Sequence, residues 1–362
     1  MDYEFRLQDP TTPSTTYLYE ALIEAIDHAE SCRWVFSFAT RDGVDLLLLD
    51  PAVVSFLSRG SLSLVVGIDA ITNRHTLERL QELERQYSNL VVRVFWNRTA
   101  GLFHPKFAHF RYRDGRQALI VGSGNLTPHG LRHNFEAYSV LRVDRRERLN
   151  LLRLEEFLTR HASDIRIIDE EILVRAAKNV NRGGRRRRAI AADVVVAEEA
   201  IPPGAVTEGA LTDIRVLVAQ IPKAGGRWHQ VHFNEDVTEQ FFRVRPNTVQ
   251  RVFLRERRSD DTLGPLEPPR PCVMSGVNKN RKIELAARRE EAYPTVGTPP
   301  IGVFRELQVR TFEYILLMPG EPGHSEMLRF TETQPRVGKG LPRVITTADV
   351  ILRAWPGCPL FR

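Results

Sequence analysis

Apolar and polar positions alternate in two rhythms along the first half of the chain. Over residues 15–31, TTYLYEALIEAIDHAES, the residues Leu18, Leu22, Ala25 and Ile26 recur at helical spacing, with Tyr17 at the edge, and predict a helix. Short apolar runs at Trp34–Phe38, at residues 61–68 and at Leu90–Trp96 each predict a strand, and residues 74–87 predict a helix. Strands alternating with helices predict an α/β domain with a largely parallel sheet. Two further runs, Pro105–Tyr112 and Gln117–Gly122, flank Asp114-Gly115, a strong hairpin signal. Another strand is expected over Phe135–Arg142, and residues 147–177 read as mostly helical.

The rhythm stops at Lys178–Ala205, which carries paired glycines, the run Arg185–Arg188 and paired prolines. This predicts a basic linker over 178–207 between a domain at 1–177 and a second at 208–362. The arginine run either holds a polyanion, covers a site, or is a solvated charge run, and the last is the simplest reading. Downstream, Ile214–Ile221, Gln250–Glu256 and Gln308–Met318 are strand-like and separated by glycine and proline. The second domain is therefore expected to be β-rich and barrel-like.

Composition sharpens this picture. A chain of 362 residues with 42% hydrophobic and 27% charged positions is ordinary globular material with enough apolar residues for two cores. No apolar run is long enough to span a bilayer, and MDYEFRLQDP lacks the features of a signal peptide. A cytoplasmic protein without membrane partners is expected. Three scattered cysteines argue against a disulfide framework or a cysteine zinc site, and no metal or cofactor is expected. The net charge of +6 favours a polyanionic partner.

The stretch FHPKFAHF, Phe103 to Phe110, places a histidine and a lysine two apart in an apolar run. In a strand, positions i and i+2 share a face, so His104 and Lys106 project together, with Pro105 fitting a strand start. Beyond the hairpin, VGSGNLT repeats the spacing with Ser123 and Asn125, and hairpin pairing brings that end beside His104. Glu136 opens the next strand. These types suit phosphoryl transfer. A neutral imidazole can attack phosphorus, lysine and asparagine can hold the non-bridging oxygens, and a carboxylate can orient the imidazole. The competing reading is a surface pair, a plain turn and a solvated carboxylate. Ser123 has a turn-shaping role as its alternative, His109 and His129 read as structural or exposed, and His133 is open.

The ordered set FHPKF…GSGNLTPHGLRHNFE resembles the phospholipase D superfamily signature, H-x-K, then G-S-x-N, then a carboxylate, over residues 15–175. The resemblance implies a phospholipase D-like fold and a two-step, metal-independent reaction through phosphohistidine. Larger members carry two H-x-K copies, and this chain has one. The resemblance therefore implies a homodimer that builds one shared site, one His104 attacking and the other protonating the leaving oxygen.

The second domain bears on the substrate. Lys223, Arg227, Trp228, His229, Gln230 and His232 follow its first strand, and Asn278, Lys279, Asn280, Arg281 and Lys282 form a second polar, basic stretch. Such residues bridge phosphates and read base edges; solvated basic loops are the alternative. The arrangement resembles the plant B-three type of DNA-recognition pseudobarrel. Joined to a phospholipase D nuclease, it resembles a known kind of restriction endonuclease, which implies site-specific cleavage of double-stranded DNA; some relatives work with a separate ATPase. The alternatives are a DNA-binding protein on an inactive nuclease fold, and a phosphodiesterase acting on lipid or nucleotide.

Overall fold

The computed structural model describes residues 1–99, 101–147, 149, 151–179, 211–221, 230–245, 248, 250–258, 261–267, 269–274, 281–285 and 297–361. The chain divides into two compact units, Met1–Glu198 and Glu199–Arg362. From residue 180 onward the expected linker, with Arg185–Arg188, lies outside the described residues.

In the first unit the strands are β1 (Asp2–Gln8), β2 (Ala29–Phe36), β3 (Ser61–Gly67), β4 (Leu90–Phe95), β5 (Lys106–Tyr112), β6 (Gln117–Gly122), β7 (Glu136–Val143) and β8 (Ile165–Arg166). They form one sheet in the order β1-β7-β6-β5-β2-β3-β4-β8. The helices are α1 (Leu18–Ile26), α2 (Arg41–Leu48), α3 (Pro51–Leu57), α4 (Arg74–Gln86), α5 (Leu152–Arg160) and α6 (Glu170–Ala177). The expectation of a largely parallel sheet is corrected. Joins β2–β3 and β3–β4 are parallel, and the other neighbours are antiparallel. Parallel joins need crossovers, supplied here by the helices between β2 and β4, whereas Asp114-Gly115 and the later turns reverse the chain directly.

Local chemistry explains the element ends. The Asn73 side chain caps α4 by accepting from the Thr76 backbone N–H at 3.0 Å, and Leu77, Leu80 and Leu83 form its buried stripe. Asp50 accepts from the Ala52 N–H at 2.7 Å, and Pro51 starts α3. The helix expected over 15–31 is shorter, because His28 turns to φ 63° and residues from Ala29 belong to β2. In the β5–β6 hairpin, Gly115 takes φ 85°, as its turn requires.

One sheet face is sealed. Helix α1 packs on β2, β5 and β6, α3 on β3 and α4 on β4, and α2 and α6 continue that layer. Trp34, Leu64, Val92, Ala108, Phe110 and Ile120 are buried beneath it. On the other face Phe157 of α5 packs with Val35, Val65, Phe95 and Phe103. Strand β1 has inverted polarity. Its Arg6 pairs with Glu4 and Glu24, and Gln8 is buried, while Tyr3, Phe5 and Leu7 are exposed on the side opposite.

In the second unit, β9 (Arg215–Gln220), β11 (Arg251–Arg257), β12 (Leu263–Leu266), β16 (Ile301–Gln308), β17 (Thr311–Leu317) and β18 (Arg343–Thr347) form a mixed sheet. Its order is β12-β11-β17-β16-β9-β18, with β13 (Arg270–Pro271) also on β11. A smaller sheet joins β10 (Gln230–Phe233), β15 (Arg281–Glu284) and β14 (Val273–Met274). Phe233, Phe241, Phe242, Phe304, Phe312 and Tyr314 pack in a buried cluster shared by both sheets. Helices at His324–Thr333 and Ala348–Ala354 cover the large sheet's other face through Met327, Phe330, Ile351 and Trp355. The unit is β-rich as expected. The run Gln308–Met318 is not one strand from its start: Gln308 closes β16, Val309 and Arg310 turn with Arg310 at φ 60°, and β17 begins at Thr311, which pairs with Gln308.

Candidate active site

The candidate chemistry gathers where β2 and β3 end and β5 begins. Lys106 is the first residue of β5 and pairs with Phe36 across the ladder, which turns its side chain under the helical layer, 8% exposed. Its Nζ donates to Ser37 Oγ at 3.0 Å and to the His104 carbonyl at 3.1 Å, and lies 3.1 Å from both ring nitrogens of His104. Ser37 Oγ donates onward to the Pro105 carbonyl at 3.1 Å. Burial pushes the Lys106 ammonium down to about 8, with Glu136 opposing the shift. The same burial, and then the charge of Lys106, lowers His104 below the ordinary imidazole value. Near neutral pH the ring is uncharged beside a charged ammonium. Phe38 meets the ring edge-on at 5.9 Å.

The segment before His104 is anchored. One carboxylate oxygen of Asp69, just past β3, accepts from the Phe103 N–H at 2.8 Å and from Asn97 Nδ2 at 2.9 Å. That side chain is almost fully enclosed. His104 itself stands at the surface.

The GSGN segment reaches the same place by backbone pairing. Leu126 N–H donates to the Phe38 carbonyl at 3.1 Å and the Thr40 N–H to the Leu126 carbonyl at 3.1 Å, forming a parallel bridge between Ala39 and Leu126. Asn125 is thereby set beside the Ser37–Phe38 end of β2. Its Oδ1 is buried and has no hydrogen-bond partner among the described residues. The turn that follows fits only without a side chain at Gly130, where a Cβ would overlap the Asn125 backbone.

Ser123 Oγ hydrogen-bonds Glu136 and accepts from the Ala137 N–H at 3.1 Å. Asn134 Nδ2 donates to the other Glu136 oxygen at 3.3 Å. The carboxylate was expected to orient the imidazole. Among the described residues its hydrogen bonds go instead to Ser123 and Asn134, and it acts on Lys106 through its charge. The structure therefore brings His104, Lys106 and Asn125 to one sheet end, with Ser123 and Glu136 as a coupled pair at its rim. His109 is buried on the other face, 2.9 Å from Gln117. His129 and His133 stack edge to face in a π-helical turn, His129–His133.

Ser37, Phe38 and Asp69 were not foreseen. Ser37 follows directly on the apolar strand β2 with no motif around it, and its role exists only through β2–β5 pairing. Asp69 had one signal, a carboxylate directly after a buried strand.

In the second unit Lys223, Arg227, Trp228, His229, Asn278, Lys279 and Asn280 lie outside the described residues. Gln230 and Arg281 are backbone members of β10 and β15, where Gln230 pairs with Glu284 and Arg281 with Phe233. The two predicted stretches thus meet in one ladder, entering it at opposite ends. His232 and Lys282 are cross-strand partners. Burial, then Lys282 and Arg343, lowers the His232 imidazole. Arg343, which sequence reasoning missed, donates to the His232 carbonyl and lies over the Phe233 ring, and burial pushes its guanidinium down to about 10. Among the described residues no cluster of three or more His, Cys, Asp or Glu is arranged to hold a metal, and no helix is long and apolar enough to cross a membrane.

No family model matches the chain, and no curated protein does. Solved structures similar to it include NucT from Helicobacter pylori, 17% identical over 46% of this chain and 100% of that one, TM-score 0.32. Nuc from Salmonella typhimurium, a phospholipase D family member, is 15% identical over 46% of this chain and 96% of its own, TM-score 0.32. Yeast tyrosyl-DNA phosphodiesterase is 11% identical over 71% of this chain and 52% of its own, TM-score 0.32. At these scores the likeness decides nothing by itself, and the side chains must carry the functional reading.

Proposed function

We propose that the chain is a phospholipase D-type endodeoxyribonuclease: a metal-independent, site-specific restriction endonuclease that cleaves double-stranded DNA through a phosphohistidine intermediate. The observation that supports this is the neutral His104 imidazole against the buried Lys106 ammonium. A lysine is costly to bury without a carboxylate in contact, so the site accepts a cost that an incoming phosphate would offset.

In the first step a ring nitrogen of His104 attacks phosphorus. A P–N bond forms, the P–O bond to one strand breaks, and the departing oxygen takes a proton. Lys106 and the Asn125 amide N–H groups hold the non-bridging oxygens as charge shifts. In the second step water attacks the phosphohistidine and forms a P–O bond, its proton passes to the group that protonated the leaving oxygen, the P–N bond breaks and the imidazole is restored. The departing oxygen needs an acid. The reading therefore includes a homodimer in which His104 of a second copy donates that proton. The second unit is read as a DNA-recognition pseudobarrel of the plant B-three type, with His232, Lys282 and the two basic stretches toward the duplex.

Digestion of a defined plasmid in excess EDTA, with sequencing of the ends, tests the reading. Discrete double-strand cuts at one sequence are expected, lost in His104→Ala with duplex binding kept. Cutting that appears only when magnesium is restored would overturn it. Binding without cutting would point to the inactive-fold alternative, and hydrolysis of lipid vesicles in place of DNA to the lipid phosphodiesterase.

A further inference from the structure

The sheet face on which α5 packs changes character along its strands. Near the candidate site it is apolar: Val35 of β2, Val65 of β3 and Phe107 of β5 lie against Phe157 of α5. Farther along, the same face of the same strands carries Ser31 and Arg33, Ser61 and Ser63, His109 and Arg111. The ladder sets them in two rows. Ser63 opposes Arg33, which opposes His109, and Ser61 opposes Ser31, which opposes Arg111, with Gln117 of β6 closing the second row. Central strands packed on both faces are ordinarily apolar throughout. Here three serines stand where a core would place bulk, and the face sinks into a hollow of about 830 Å³, the size of a small-molecule pocket.

The hollow holds a surplus of cations. Arg33, Arg111, Arg116 and Arg145 line it, against the carboxylates of Glu147 and Glu155. Arg33 pairs with Glu155 at 2.6 Å, Arg116 with Asp114 at 2.7 Å, and Glu147 with the Met1 ammonium at 2.6 Å. Arg111 and Arg145 are exposed and have no hydrogen-bond or ion-pair partner among the described residues. His109 is buried at the floor, and burial lowers its imidazole, so the surplus belongs to the arginines. A guanidinium with its donors open grips phosphate oxygens in pairs, and hydroxyls beneath it can donate to the rest. Two exposed carboxylates in the lining disfavour a continuous row of phosphates and are no obstacle to a compact ligand.

We propose that this hollow is a second anion site, which takes a small molecule bearing one or two linked phosphate groups through Arg111 and Arg145, over Ser31, Ser61 and Ser63. It is separate from the candidate active site. Lys106 and Arg111 stand toward opposite ends of β5, about 17 Å apart along the strand, and their side chains leave by opposite faces. The site therefore does not rest on the proposed reaction.

Calorimetric titration of the full chain with pyrophosphate at fixed ionic strength tests it. Arg111→Ala and Arg145→Ala should each weaken binding by about 10-fold or more, the scale of losing a charge-assisted contact, with an unchanged circular dichroism spectrum. Arg113→Ala removes an exposed arginine of the β5–β6 turn outside the lining and should leave the affinity unmoved. The event that depends on Arg111 should persist in Lys106→Met, which removes the ammonium of the candidate active site. No binding, equal weakening by Arg113→Ala, or loss of the event in a folded Lys106→Met chain would overturn the assignment. A short DNA duplex is the comparison probe: if Arg111→Ala and Arg145→Ala weaken duplex binding and leave pyrophosphate binding untouched, the hollow serves nucleic acid and the proposal falls. None of these readouts involves cleavage. A chain that binds pyrophosphate here but does not cut defeats the nuclease reading alone, and a chain that cuts but ignores pyrophosphate defeats only this site.

Discussion

The β5–β6 hairpin carries charge at both ends, under opposite conditions. At its turn, Asp114 and Arg116 are exposed and paired at 2.7 Å, and hydrogen bonds from the Arg116 backbone and side chain hold the Asp114 carboxyl below its usual range. Nearby Arg33 pairs with Glu155 at 2.6 Å. At the open end Lys106 is buried, touches no carboxylate among the described residues, and loses part of its basicity. A cavity of about 830 Å³ opens at the turn end, lined by Arg33, His109, Arg111 and Gln117. Charge at the turn is satisfied by solvent and neighbours, and charge at the other end is left with work to do.

The sharpest way to break that contrast is to exchange the ends. His104→Ala should lower the cleavage rate by at least ~10⁴-fold, the scale of losing a covalent nucleophile, while Arg116→Ala leaves both rate and melting temperature unmoved. Comparable losses from both would erase the distinction. Next in size, Lys106→Met should slow cleavage by roughly 10²–10³-fold, as loss of one transition-state donor does, yet hold or raise the melting temperature because a buried charge is gone. A variant that melts early would make Lys106 a structural residue.

A smaller effect concerns pH. The ammonium must stay charged, so activity should fall as pH rises through about 8, and Glu136→Gln should move that fall to lower pH, since Glu136 holds the lysine up. An unmoved alkaline limb would detach Glu136 from the site. The smallest effect is on stability. Folded Lys106 releases its proton near 8 and the unfolded side chain near 10.5, so the unfolded chain binds more protons between them. The urea midpoint should therefore rise with pH over that window, and the rise should vanish in Lys106→Met.

What the sequence made legible follows the same division. The hairpin and its turn were readable because Asp114-Gly115 dictates them locally, and the H-x-K and G-S-x-N spacings placed Lys106 and Asn125 at neighbouring strand ends. Ser37 was not readable, since its value lies in a partner strand far along the chain. The α2–α3 stretch went unassigned although Thr40 and Asp50-Pro51 were there as helix starts. Strand β1 also went unassigned. Its alternation was plain, but its apolar side faces outward, against the usual sense of such a pattern. The second unit's basic stretches were visible as composition, while the Arg343 contact with His232 required the fold.

The bridge between Ala39 and Leu126 also has a bearing on synthesis. Because β2 sits mid-sheet and waits for β5 and for Leu126, a nascent chain still missing its later strands is an inert fragment. On the proposed reading, the candidate site would assemble only once those strands have emerged and closed on the earlier ones, so a truncated product would lack it.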